Sequence, residues 1–277
     1  MRELDALEPG QVALLGVPWD AHSSFLRGPA LAPRLIRVAL HSGAMNLCAE
    51  NGHDLGADDR WRDLGDLSIP AGDEAALATI TGAASAILKW GGRLFALGGD
   101  HAVSFPLLRA YGKAHPGLTV LHVDAHPDLY DELDGDHLSH ACPFARALEE
   151  GRIARLVQVG IRTLNQHQWA QARRFDVEVV EMRDWRPGMD LGLSGPLYLS
   201  LDLDALDPAF APGVSHHEPG GFTTREVLGI IQSLPVPLVG ADLVELNPVR
   251  DPTGITAALA AKLVKEILAQ MLTAPEA

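Results

Sequence analysis

Six residues in three short segments have the types and spacing of a metal centre. Asp124-Ala125-His126-Pro127-Asp128 follows the apolar run of residues 118–123, Gly98-Gly99-Asp100-His101 follows another at 93–97, and Ser200-Leu201-Asp202-Leu203-Asp204 closes a third. Each segment presents acids or imidazoles where a buried parallel strand would end, and in an open α/β sheet that edge is where ligands bind. A lone Asp-x-Asp at a strand end is ordinarily a cap or turn acid. Three such ends aimed at one crevice are not ordinary. Two imidazoles and four carboxylates (His101, Asp124, His126, Asp128, Asp202, Asp204) are too many for one divalent ion. Two ions sharing bridging carboxylates use all six, and four carboxylates offset their combined charge. Hard oxygen donors with two histidines favour manganese over zinc, with cobalt, nickel and iron as possible substitutes. His122 is read as turned away from Asp124, a core or supporting residue.

The elements that must position these residues follow from apolar periodicity. Strands are expected at residues 11–17, 93–97, 118–123, 156–161, 177–182, 197–201 and 238–243, with residues 62–69 ambiguous and at most a brief strand. Helices are expected from 33 to about 43, over 73–90 with Asp73 as its cap, and over 103–115, 144–150, 166–174 and 254–272; Thr223 caps another running to about 234. This βαβ alternation predicts an α/β fold, a three-layer α/β/α sandwich on a mostly parallel sheet. The polar loop 130–140, with four acids, and the loop 210–222 are long enough to be functional. No linker, repeat or low-complexity segment divides the chain, so one domain over 1–277 is expected.

Composition narrows the partners. The chain has 277 residues, 47% of them hydrophobic, and a formal net charge of -14. Such acidity excludes a phosphate-backbone partner and suits a small cationic substrate, and two bound divalent cations would offset part of it. Cys48 and Cys142 have no zinc-site or disulfide spacing and are expected to be reduced. Acids in the first ten residues interrupt any secretory core and no window is long enough to span a bilayer, so no membrane partner and a cytoplasmic location are expected.

These motifs together resemble the ureohydrolases, the arginase and agmatinase superfamily. The resemblance is nearest to plant-type arginases, which carry similar Ser139-His140-Ala141 and Gly213-Val214-Ser215-His216-His217-Glu218-Pro219-Gly220-Gly221 segments. It implies two manganese ions per chain, with Asp124 and Asp202 bridging, His101 and Asp128 on one ion, and His126 and Asp204 on the other. It also implies a trimer or hexamer. A guanidinium carbon is deactivated by resonance, and hydroxide shared by two metal ions is the expected nucleophile, releasing urea and an amine. By the same resemblance His140 is the proton shuttle and Glu245 accepts hydrogen bonds from the guanidinium. Tyr130 and His216 are candidate substrate contacts, with His137, His217 and Arg27 as further loop donors. Two positions depart from the wider pattern: Tyr130 stands where animal-type arginases have an Asn that binds the substrate carboxylate, and Ala102 replaces a common Ser. Arginine and agmatine both stay candidates, with guanidinobutyrate and formiminoglutamate behind them. A one-zinc deacetylase-like amidohydrolase and a non-catalytic metal protein are the readings from other classes.

Overall fold

The computed structural model describes residues 8–273. The reading of the extreme N-terminus therefore lies outside the described residues. Eight strands form one sheet: β1 (Val12–Gly16), β2 (Trp61–Asp66), β3 (Arg93–Leu97), β4 (Thr119–Val123), β5 (Arg155–Ile161), β6 (Glu178–Glu181), β7 (Leu197–Asp202) and β8 (Leu238–Val244). Their order is β2-β1-β3-β8-β7-β4-β5-β6. Every neighbouring pair is parallel, so the sheet is wholly rather than mostly parallel.

Strand alternation sorts the core into two layers. Val12, Leu14, Phe95, Leu97, Leu121 and Val123 point to one face, and Ala13, Leu15, Leu94, Ala96 and Val120 to the other. Helices α1 (Ala32–Leu40), α6 (Thr224–Gln232) and α7 (Ile255–Leu272) cover the first face. Helices α2 (Asp73–Lys89), α3 (Ser104–Ala114), α4 (Pro143–Glu149) and α5 (Gln166–Arg174) cover the second. The result is the expected three-layer sandwich. Helix α7 is apolar almost all round because it lies over the middle of the sheet against α1, α6 and β8. No helix among the described residues is long and apolar enough to cross a membrane.

Two local expectations change. The ambiguous stretch 62–69 is the edge strand β2. Asp73 does not cap α2: Gly72 occupies the cap position at a φ of 89°, which disfavours a side chain, and Asp73 lies in the first turn, where its charge meets the helix dipole. Thr223 does cap α6, in a reciprocal pair with Glu226.

The topology decides where chemistry can occur. Along the chain β1 is followed by β2 on its outer side and then by β3 on its inner side, while β4, β5 and β6 run outward in order on the other half. Strands β8 and β7, formed last, fill the gap between β3 and β4. The carboxyl ends of these four central strands surround the point where the winding reverses, the crevice in which open α/β sheets bind ligands.

Candidate metal centre and active site

Each central strand delivers its residues through a short turn held by its own polar side chain. After β3, Asp100 accepts from the Ala102 N–H and starts the turn that carries His101. Asp202 does the same for the Asp204 N–H after β7, and Asn247 for the Val249 N–H after β8. Gly99 allows the closest approach: a Cβ there would run into the Trp19 carbonyl, which accepts from the Asp100 N–H. The loop after β1 is thereby fastened to the loop carrying His101.

The six expected residues converge. His101 Nδ1 lies 3.1 Å from Asp124 Oδ2, 3.0 Å from Asp128 Oδ2 and 3.1 Å from Asp202 Oδ2. His126 Nδ1 lies 3.0 Å from Asp204 Oδ2 and 3.5 Å from Asp124 Oδ1. Asp124 thus faces both imidazoles. Asp202 keeps Oδ2 toward His101 while Oδ1 accepts from the Asp204 N–H. His101 and the four carboxylates are all buried.

Hydrogen bonds around His101 orient its ring toward the cluster carboxylates. Ser200 Oγ donates to Asp242 Oδ1 at 2.7 Å, so it can only accept from His101 Nε2, 3.0 Å away. Ser104 and Tyr198 donate to the other Asp242 oxygen. A neutral His101 then carries its proton on Nε2 and turns a lone pair on Nδ1 toward three carboxylate oxygens. Nδ1 is sealed from solvent and without a hydrogen-bond partner. Burial opposes protonation of His101, but the three carboxylates hold its pKa well above the ordinary value, so a proton on Nδ1 satisfies the arrangement in the metal-free protein; the same donor set of imidazole nitrogens and carboxylate oxygens fits a divalent metal ion.

His122 differs from its expected orientation. Residues two apart in a strand share a face, and His122 Nε2 meets Asp124 Oδ2 at 2.7 Å. Ligand atoms of His101, His122, Asp124 and Asp128 lie within 4.8 Å of one another, as do those of Asp124, His126 and Asp204. Chemistry removes His122 from the donor set. Gln158 Nε2 donates to His122 Nδ1 at 2.9 Å, with the Pro127 carbonyl as a second acceptor, so the His122 proton is on Nε2 and donated to Asp124. Burial lowers its pKa and keeps the ring neutral. His122 therefore aims Asp124.

His140 and Glu245 form the second part of the site. His140 Nδ1 is 2.7 Å from Glu245 Oε1 and its Nε2 is 2.9 Å from Ser24 Oγ. Glu245 Oε1 also accepts from the His101 N–H, which leaves Oε2 without a protein partner among the described residues. Glu245 sits at a φ of 65°, strained for a residue with a side chain. Burial opposes protonation of His140, but the Glu245 carboxylate outweighs it and lifts the pKa to about 9. At neutral pH this ring is a cation.

A cavity of about 250 Å³ opens above both parts and is lined by Ser24, Tyr130, His140, His216, Gln168 and three of the cluster carboxylates, Asp128, Asp202 and Asp204. A larger cavity of about 450 Å³, lined by Trp185, Leu191, Leu193 and Ile230 among others, holds none of these groups. Of the expected substrate contacts, His216 is in the smaller cavity, with its ring 5.1 Å from that of His140. Tyr130 is there too, stacked 5.4 Å from His167, with its hydroxyl accepting from Asn165. The other loop donors point elsewhere. Arg27 donates to the Ala21 carbonyl, His137 pairs with Glu132, and His217 bonds the Pro212 carbonyl. Both cysteines are free, and burial pushes the Cys142 thiol up to about 12.

Roles for Asp242, Gln158 and Gln168 escaped the sequence reading, and Asp100 was named there only as part of its motif. A signal existed for two of them: Asp242 and Gln158 are polar residues inside otherwise apolar strands.

Residues 10–269 match the profile of the arginase family. The chain is 44% identical to arginase 1, mitochondrial, of Arabidopsis thaliana, over 94% of this chain and 80% of that protein. It is 35% identical to the guanidinobutyrase of Pseudomonas aeruginosa over 96% of this chain and 87% of that one. Among solved structures, arginase from Medicago truncatula superposes with a TM-score of 0.88 at 40% identity, covering 98% of this chain and 90% of that chain. Together with the crevice and its converging acids, these matches show that the chain belongs to the arginase family, hydrolases that act on amidino C–N bonds.

Proposed function

We propose that this chain is a binuclear manganese ureohydrolase that hydrolyses the guanidinium group of arginine to urea and the corresponding amine. The convergence of the buried His101 Nδ1 with oxygens of three buried carboxylates carries the reading. In this reading Asp124 and Asp202 are shared between two ions, His101 and Asp128 complete one, and His126 and Asp204 the other. Bound there, the ions supply a water acidic enough to act as a nucleophile at neutral pH. The protein does the rest. Glu245, anchored through Oε1, offers Oε2 to the guanidinium N–H groups and orients the planar cation. His140, held by Glu245 through Nδ1, would pass an Nε2 proton toward the leaving nitrogen, with Ser24 beside that nitrogen of the ring. The acids of the cavity draw the cationic substrate in.

Arginine is favoured by the identity to plant arginases. One observation favours agmatine: among the described residues no Lys or Arg lines the cavity to meet a carboxylate. The proposal includes a single domain, a cytoplasmic location and a trimeric or hexameric assembly. The plant relatives' names place those proteins in mitochondria or chloroplasts. Urea release by manganese-loaded protein from arginine, agmatine and guanidinobutyrate tests the substrate, with arginine expected to give the highest kcat/KM. A hundredfold preference for agmatine would overturn arginine and leave the chemistry standing. His140→Ala should keep its metal and lose about 10²- to 10⁴-fold in kcat; wild-type turnover across pH would remove His140 from the reaction.

A further inference from the structure

Among the described residues no Lys or Arg lines the cavity, and the His140 ring is engaged by Glu245, so the far end of an amino-acid substrate is left to other polar groups of the lining. Burying a carboxylate without donors is costly, so such groups must have the right polarity. Two side chains at the β5–α5 corner have it. Gln168 is buried, at 4% exposure, and lines the cavity. Its Oε1 accepts from the Leu129 N–H at 3.4 Å, and that N–H has no other acceptor among the described residues, which fixes the amide's orientation. The Nε2 group has no protein acceptor among the described residues and is not sealed off, so its open side is the cavity. Thr163 has the opposite character. Its hydroxyl hydrogen is donated to the Ala125 carbonyl at 3.1 Å, leaving only lone pairs for the same cavity. The corner is held in place by Asn165, whose side chain accepts from the Gln168 N–H at 2.9 Å and donates to the Tyr130 hydroxyl.

We propose that this pair reads the amino-acid end of the substrate, with Gln168 Nε2 donating to the α-carboxylate and Thr163 Oγ1 accepting from the α-ammonium. The assignment rests on the ureohydrolase reading of the site and explains how a cavity without Lys or Arg among its described lining residues accepts arginine. Tyr130 then serves as a wall, since its hydroxyl is engaged by Asn165.

Gln168→Glu is the decisive variant, because it keeps an oxygen for the Leu129 N–H and removes the donor. Kinetics with arginine, agmatine (no carboxylate) and 5-guanidinovalerate (no α-ammonium) separate the two ends. In Gln168→Glu, kcat/KM for arginine and 5-guanidinovalerate should fall about tenfold or more relative to agmatine, chiefly through KM. Thr163→Val should lower arginine relative to 5-guanidinovalerate. Calorimetry with ornithine and putrescine gives a second readout, in which Gln168→Met should weaken ornithine and not putrescine. Equal losses on arginine and agmatine, in a wild type that hydrolyses arginine, would make Gln168 only a support for the Leu129 loop and overturn the assignment alone. A wild type that strongly prefers agmatine would also overturn it. Hydrolysis of none of the three would overturn the ureohydrolase reading as well.

Discussion

The two poles of the cluster are built differently. The His101 pole is closed: the ring is buried, its outer nitrogen is tied through Ser200 to Asp242, and Phe144 packs edge-on at 5.3 Å. At the other pole the His126 side chain is 25% exposed, lines the cavity and touches another ring only at His216, 5.9 Å away. The closed pole fixes tautomer and direction before any ion arrives. An ion held at the open pole would face the cavity. This difference predicts one tightly held ion and one more readily exchanged, since the partners that orient a ligand also set metal affinity.

Asp124 belongs to both poles, and its replacement should have the largest effect. Asp124→Ala is expected to lose both ions and all measurable turnover, read by elemental analysis and urea release; a variant that kept one ion and substantial activity would show the poles to be independent. Ser200→Ala isolates the closed pole. It should weaken the tighter site about 10- to 100-fold while leaving the weaker one nearly as it was. Equal weakening of both sites, measured by competition with a chelator, would erase the distinction.

Proton competition sharpens the same contrast in the metal-free protein. Burial, with Asp124 beside it, pushes Asp204 up to about 7 despite the His126 ring. Burial opposes protonation of His126, but Asp204 and Asp124 hold its pKa well above the ordinary value of 6.5. Both folded pKa values lie above the unfolded ones, so this pair binds more protons in the folded chain than in the unfolded one from the ordinary carboxylate range upward. The pair's contribution to stability then falls as pH rises through this window. Chelated protein should melt several degrees lower at about pH 8 than at about pH 5, and added manganese should raise the melting temperature more at the higher pH. A chelated protein that gains stability over that interval contradicts the assigned charges.

What could be read from sequence follows from what is local. His101, Asp124, His126, Asp128, Asp202 and Asp204 stand one to five residues beyond apolar runs, so strand ends and ligands were legible together. Edge strand β2 was harder, because Arg62 and Asp63 face solvent and blur the pattern. Partners that act across the sheet were not legible. Asp242 matters because β8 lies between β3 and β7, and Gln158 because β5 lies beside β4. Neither adjacency is written in the residues themselves. Gln168 was hidden differently: it looks like an ordinary helix residue until the loop after Asp128 brings Leu129 to its side-chain oxygen. The His122 orientation could have been read correctly, since residues 122 and 124 share a strand face.

Metal titration of chelated protein, followed by calorimetry and elemental analysis with urea release measured in parallel, tests the two-pole account most directly. Two manganese ions per chain are predicted, the first bound more tightly, with full turnover only when the second site fills. A single ion per chain accompanied by full activity would contradict the binuclear centre and the roles given to both poles.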